Sequence, residues 1–269
     1  MRLMITWLFV GVLAAYLAGC VFLAVFQRSF LYFPQPAAPN DFGETEKLPI
    51  PGQTVLATVR PHEGTDAVIY FGGNAERVAL SLPGLAEAFP DSAIHLLHYR
   101  GYGGSSGSPS EAALVADALV LFDSVYTTHP HIVVVGRSLG SGVAVRVAAK
   151  RPASALVLVT PYNSILELAQ RQFPYVPVSW LLVDKYESWR YAPDVRVPTL
   201  LIEAELDEVI PASSTEALYA RFSSGVASLK VIRGSGHNTI SDEPAYIEAL
   251  AAVARGPIGA RDASRSSDP

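Results

Sequence analysis

One cysteine, Cys20, stands in 269 residues. An intramolecular disulfide framework is therefore excluded, and packing rather than cross-linking must hold the fold. Charge is scarce as well. Charged residues make up 17% of the chain against 50% hydrophobic ones, which excludes a disordered, solvated chain and favours a large buried core. Basic residues form no cluster and the formal net charge is −5, so nucleic acid is not an expected partner. No phosphate-binding G-x-G-x-x-G or Walker pattern opens a helix in the right place. His95 and His98 lie three apart on an expected strand and point to opposite faces, and His129 and His131 straddle a proline, so neither pair suits a metal. No cofactor or metal is expected.

The N-terminal run from Ile5 to Phe26 is 22 residues without a charge. As a helix it measures ~33 Å, enough for a hydrocarbon core of ~30 Å. A core helix rarely lacks a polar face over six turns. Trp7 at one end and Tyr32 and Phe33 beyond the other suit the two interfaces. The expectation is an uncleaved signal anchor over residues 1–27, with the domain on the extracytoplasmic side. The alternative is a lipoprotein anchored at Cys20, because Leu17-Ala18-Gly19-Cys20 resembles a bacterial lipobox. The apolar run continues through Val21 to Phe26, which favours the uncleaved anchor.

Residues 28–52 carry Pro34, Pro36 and Pro39 and read as an extended connector. From residue 53 to 256 the segments alternate. TVLATV, AVIYF, AIHLLHY, HIVVV, ALVLV, TLLIEA and SLKVI read as strands. Helices are expected at 76–89 with Pro83 as a kink, at 109–129 with Ser110 as N-cap, from about Leu139 to Lys150, at 214–222 and at 243–254. Apolar strands alternating with helices predict an α/β fold, a mainly parallel sheet with helices on both faces. Residues 257–269 read as a polar, disordered tail.

Two G-x-S-x-G matches occur, centred on Ser138 and Ser105. Ser138 follows the strand HIVVV and opens a helix, the setting of a nucleophile elbow. Ser105 lies in a glycine- and serine-rich loop. A serine nucleophile needs a base, and of six histidines only His237, in the loop RGSGHNTI, follows Ser138. The acid is sought between them, in TLLIEAELDEVIP, which offers Glu203, Glu205, Asp207 and Glu208. Asp207 is chosen because a short side chain can hold an imidazole from a tight loop; Glu205 is the reserve. Asp184 and Asp194 precede that strand and read as solvent-facing or capping residues. Oxyanion donors are expected from the Leu139 amide and from the loop FGGNAE, at Asn74 or its neighbour Ala75.

These segments together resemble the α/β-hydrolase superfamily, and within it the membrane-anchored BEM46-like branch. The resemblance runs from about Gln27 to Ala254 through QRSFLYFP, YFGGNAE, HYRGYGGSSG, VVVGRSLGSGVAV, TPYNSI, ELDEVIP and GSGHN. It implies the α/β-hydrolase fold, with Ser138 as nucleophile, Asp207 as acid, His237 as base, and Asn74 and Leu139 as oxyanion-hole residues. It also implies that YRGYGGSSG is a structural loop beside the site. One departure is visible: the oxyanion loop usually begins His-Gly, and here it reads Gly72-Gly73.

The expected function is a membrane-anchored serine hydrolase acting on acyl esters or thioesters, its substrate an acyl-containing small molecule or a lipid. A peptidase or lipase on the same three residues, or a non-catalytic anchored scaffold, are the alternatives. The insertion 161–197, with Tyr162, Phe173, Tyr175, Trp180, Tyr186, Trp189 and Tyr191, is expected to form a small lid and an acyl-binding wall.

Overall fold

The computed structural model describes residues 1–37 and 43–256. The expected tail, 257–269, and part of the expected connector, 38–42, lie outside these.

Helix α1 spans Arg2–Leu31. It is one helix long and apolar enough to cross a membrane, with a mean hydropathy of 2.5 over its most apolar 18 residues. Among its residues only Cys20 is buried. The helix outlasts the expected anchor by a turn, because nothing between Gln27 and Leu31 breaks it and Pro34 is the first residue that does.

Eight strands follow: β1 (Glu44–Lys47), β2 (Leu56–Arg60), β3 (Asp66–Phe71), β4 (Ala93–Leu97), β5 (His131–Arg137), β6 (Ala155–Val159), β7 (Thr199–Ala204) and β8 (Ala227–Ile232). They form one sheet in the order β1-β2-β4-β3-β5-β6-β7-β8. β1 and β2 join antiparallel at one edge, and the other six strands are parallel. β1 falls inside the expected connector. Its sequence, ETEK, is exposed at every position, so no apolar alternation marks it as a strand.

The helices between strands are α2 (Leu82–Ala88), α3 (Glu111–Tyr126), α4 (Leu139–Lys150), α5 (Ile165–Gln172), α6 (Val178–Leu181), α7 (Ala212–Tyr219) and α8 (Pro244–Ala254). The expected single helix at 76–89 is instead a 3₁₀ turn, Val78–Ser81, followed by α2. Pro83 sits in the first turn of α2, where a missing N–H costs no intrahelical bond. Ser110 does cap α3, accepting the Ala113 N–H at 3.2 Å.

Successive residues of the central strands serve opposite faces. Ile69 and Phe71 pack with Leu121, Phe122, Val143 and Val147 on one side. Val68 and Tyr70 pack with Leu82, Leu85, Tyr246 and Leu250 on the other. Both faces are therefore dry, as a parallel sheet requires. The carboxyl ends of the parallel strands, where ligands of open α/β sheets bind, carry the loops that hold Asn74, Ser138, Asp207 and His237.

Candidate active site

β5 delivers Ser138 to the head of α4. Its backbone is held at φ 49°, ψ −118°, a region that costs a non-glycine residue about 1–3 kcal/mol. The turn is pinned by the Ser138 N–H donating to the Val159 carbonyl at 2.9 Å, and by the Ser141 N–H and hydroxyl donating to the Ser138 carbonyl at 2.9 and 2.7 Å. It also demands glycine at 136 and 140. A Cβ on Gly140 would collide with the carbonyls of Phe71 and Gly72, and one on Gly136 with Gly140 and Ala144.

The loop after β8 brings His237 to this serine. His237 Nε2 lies 2.9 Å from Ser138 Oγ, and Nδ1 lies 2.9 and 3.0 Å from the two Asp207 carboxylate oxygens. Asp207 is fixed in turn, because its Oδ1 accepts the N–H groups of Val209 and Ile210 at 2.8 and 2.7 Å. The His237 and Asp207 side chains are nearly buried, which removes competing water from their bond. With the proton on Nδ1, the imidazole donates to Asp207 and leaves Nε2 to accept from the serine hydroxyl.

The other acidic residues of this loop have separate work. Glu205 accepts the Gly234 N–H at 2.8 Å, and Glu208 accepts the His237 N–H at 3.1 Å, so both shape the histidine loop. Glu203 is buried on β7, its Oε2 without a partner among the described residues. Its burial, then Glu216 and Asp207, hold its carboxyl above the usual carboxylate range. Asp184 departs from the solvent-facing expectation. It is buried and accepts from Arg28 Nε at 2.9 Å and the Tyr32 hydroxyl at 3.1 Å, which supply the partners a buried carboxylate needs.

Ser105 is buried and accepts the Leu56 N–H at 3.0 Å while donating to the His98 carbonyl at 2.9 Å. Both capacities of its hydroxyl serve the YRGYGGSSG turn.

The loop Gly72–Glu76, from which an oxyanion donor is expected, passes beside Ser138. Among the described residues, neither the Asn74 nor the Leu139 main-chain N–H has an acceptor. The loop's carbonyls are tied back: Tyr99 donates to Gly72 at 2.9 Å, Tyr102 to Asn74 at 2.7 Å, and the Phe33 N–H to Asn74 at 3.1 Å. Leu139 opens α4 and its carbonyl accepts the Tyr162 hydroxyl at 3.0 Å.

Two residues that sequence reading missed organise this loop. Glu76 accepts the Gly73 N–H and the hydroxyls of Tyr70 and Ser81, each at 2.7 Å. Arg137, beside the serine, lies 3.8 Å from the same carboxylate and donates to the His237 carbonyl at 3.2 Å. Burial disfavours the Arg137 charge, but Tyr70 and Glu76 hold its pKa above the ordinary guanidinium value. Both residues stand inside the motifs already quoted, YFGGNAE and GRSLG, and their unusual polarity there was the available signal.

A cleft of about 790 Å³ opens on Ser138, His237, Asn74 and Arg137, walled by Phe33, Leu80 and Val209. None of the seven aromatics expected to wall an acyl site lines it. Tyr162 and Tyr186 belong to the core, and the segment around Phe173 and Leu181 packs on α1 instead. Apolar surface found a nearer partner in the apolar helix than in the cleft. Among the described residues, no three His, Cys, Asp or Glu side chains gather as metal ligands.

No family model matches the chain. Individual proteins do. The uncharacterized protein Rv2307c of Mycobacterium tuberculosis is 32% identical over 254 residues, covering 85% of this chain and 87% of that one. Protein bem46 of Schizosaccharomyces pombe is 27% identical over 272 residues, covering 89% of each. The α/β-hydrolase domain-containing protein aho-3 of Caenorhabditis elegans is 35% identical over 156 residues, 56% of this chain and 46% of that protein. Among solved structures, the Pyrococcus furiosus esterase Pf2001 superposes with a TM-score of 0.65 at 15% identity, over 83% of this chain and 96% of that one, which speaks for the fold. With the eight-stranded sheet and the glycine-built turn at Ser138, these relatives support a hydrolase, and the chain belongs to the α/β-hydrolase superfamily, in its BEM46-like branch.

Proposed function

We propose that this protein is a membrane-anchored serine hydrolase that cleaves acyl esters or thioesters through an acyl-enzyme. One observation carries the reading: the unbroken hydrogen-bonded run from Ser138 Oγ to His237 Nε2, and from His237 Nδ1 to Asp207, at 2.9–3.0 Å.

Ser138 Oγ attacks the acyl carbonyl carbon as its proton passes to His237 Nε2. Asp207 holds the imidazole orientation and stabilises the cation that forms. The oxyanion is met by the main-chain N–H groups of Asn74 and Leu139. The carbon–oxygen or carbon–sulfur bond then breaks, and His237 returns the proton to the leaving alcohol or thiol. Water, deprotonated by His237, attacks the acyl-serine, and the acid departs as the proton returns to Ser138 Oγ.

For the anchor, the reading is an uncleaved α1 with the catalytic domain extracytoplasmic. Support for the uncleaved helix is that Tyr16, which cleavage ahead of Cys20 would remove, donates to the Tyr175 carbonyl at 2.8 Å.

The test is labelling with a fluorophosphonate, in membranes, of the wild type and Ser138→Ala. Labelling of the wild type alone is expected, with turnover of p-nitrophenyl esters or acyl thioesters above that of aminoacyl amides. An unlabelled wild type would sink the hydrolase mechanism. Cys20→Ser should keep the protein in the carbonate-washed membrane; its release would return the lipoprotein anchor.

A further inference from the structure

The segment Phe173–Val183, FPYVPVSWLLV, contains no charge, and it lies on the apolar helix rather than over the site. Three hydrogen bonds fix it there. The Tyr16 hydroxyl donates to the Tyr175 carbonyl at 2.8 Å. The Gln27 side chain donates to the Leu181 carbonyl at 3.1 Å and accepts the Val183 N–H at 2.7 Å. Tyr16 and Gln27 are separated by ~16 Å of helix at 1.5 Å per residue. The segment therefore runs alongside the second half of α1, the half that holds the helix's buried residue, Cys20.

We propose that Phe173–Val183 is a second membrane-inserting element, lying in one leaflet against the C-terminal half of α1. This rests on the anchor reading of α1, from which its depth follows. If Ile5–Phe26 crosses the hydrocarbon core, Tyr16 lies ~15 Å inside its Phe26 end, and the chain bonded to Tyr16 enters with it.

Three features of the segment suit lipid. Its outward side chains are apolar or interfacial: Tyr175 and Trp180 are each 88% exposed and Val183 64%. Water gives such a patch no partner, whereas the boundary of a bilayer favours aromatic side chains. Most of its backbone donors are satisfied. Pro174 and Pro177 carry no N–H, and those of Phe173, Val176, Val178, Trp180, Leu181, Leu182 and Val183 donate within the chain. Non-helical backbone enters a membrane only on those terms. Finally, the segment carries no charged residue of its own, and the one ammonium that reaches it, that of Lys185, is tied to the Ser179 carbonyl at 2.9 Å. Arg171 precedes it, and Asp184, which follows, is paired with Arg28 at the helix end. A hollow of about 150 Å³ between helix and segment, lined by Leu23, Phe30, Ile165, Phe173, Val176 and Leu181, opens on the same surface and suits an acyl chain of the leaflet.

Tryptophan fluorescence tests this without disturbing a buried residue. The chain has three tryptophans, and Trp7 and Trp180 are both exposed. Full-length Trp7→Phe, Trp180→Phe and the double variant are placed in vesicles of ordinary phosphatidylcholine and of phosphatidylcholine brominated in mid-chain. Trp189, half-buried, is the constant background. The Trp180 signal, Trp7→Phe minus the double variant, should fall roughly two-fold or more in brominated lipid, as expected for an indole at hydrocarbon depth. The Trp7 signal, Trp180→Phe minus the double variant, reads the anchor separately. Trp180 unquenched with Trp7 quenched overturns the proposal and leaves the anchor standing. That result is also expected if a second copy of the chain covers the segment. Trp180 quenched with Trp7 unquenched keeps the lipid contact and removes the spanning helix. Neither quenched ends both.

Discussion

The side-chain amide of Asn74 donates to the carbonyl of Leu31, the last residue of α1, at 3.1 Å. The Asn74 carbonyl is held as well, by the Phe33 N–H and the Tyr102 hydroxyl. The loop proposed to hold the oxyanion is thus fastened to the end of the apolar helix, and the cleft begins at Phe33.

Where the chain is cut should therefore decide whether it works. A protein beginning at Gln27 keeps Leu31 and Phe33, and in detergent it should turn over a short ester within a few-fold of the full chain. One beginning at Pro34 loses Leu31 and Phe33, two of the three partners of Asn74, and should lose roughly ten-fold or more in kcat, as expected for releasing a hydrogen-bonded loop. Equal rates for the two would show that the helix end does not position the loop.

The two G-x-S-x-G serines should part company. Ser138→Ala is expected to lower kcat by roughly 10³-fold or more, the loss of a nucleophile that works with its base as a unit. Ser105→Ala should leave kcat within a few-fold but lower stability by about 1–3 kcal/mol, because the Leu56 N–H loses its buried acceptor. Rates and urea midpoints measured on both variants separate the roles; an inactive, fully stable Ser105→Ala would reverse them.

Asp207→Asn presents a donor where His237 Nδ1–H needs an acceptor. A fall of about 10³–10⁴ in kcat is expected, as for the same change in serine proteases. Glu205→Gln touches only the Gly234 N–H contact and should change kcat by a few-fold at most. Normal activity in Asp207→Asn would return the choice of acid to its neighbours.

Much of this was legible because strands and helices advertise themselves by period. ALVLV and TLLIEA span the same residues as β6 and β7, and the strand–serine–helix order located the elbow. Chain order placed His237 after the last strand, and the structure sets its ring against both Ser138 and Asp207. What stayed hidden depended on tertiary partners. β1 is an exposed edge strand of Glu, Thr and Lys whose only signal is its pairing with β2. Residues 161–197 held an uncharged run, but sequence alone did not say that α1 rather than the cleft would receive it. Glu76 was read as the end of a loop, since its four partners come from Tyr70, Gly73, Ser81 and Arg137 only in the fold.

Glu76→Gln makes that network testable. The new amide keeps an oxygen on the Gly73 N–H only by pointing its NH2 at the hydroxyls of Tyr70 and Ser81, which must turn to accept, and the charge facing Arg137 is lost. The oxyanion loop should shift. We expect kcat to drop roughly ten- to a hundred-fold with KM nearly unchanged, below the cost of removing an oxyanion donor outright. Unchanged kcat in a folded Glu76→Gln would mean that the Gly73 contact does not hold the loop.

Acid should unfold this protein through two histidines outside the site. His95 on β4 and His98 just beyond it are buried. Among the described residues, neither His95 ring nitrogen has a partner, and His98 Nε2 meets only the Thr58 hydroxyl, at 2.8 Å. Burial, with His129 adding to it at His95, pushes both imidazoles down to about 4. In the unfolded chain they titrate near the ordinary value of about 6.5. Between those values the unfolded state binds protons that the folded state refuses, so stability must fall as pH falls. The contribution is complete above about 6.5 and is lost progressively toward 4, on the order of 3 kcal/mol for each ring. Urea midpoints in detergent should therefore drop between pH 7 and about 5. His95→Phe fills a similar space without a titrating group, and it should remove roughly half of that drop. If the midpoint of the wild type is flat over this range, or if His95→Phe leaves its slope untouched, these imidazoles are not excluded from protons in the folded protein.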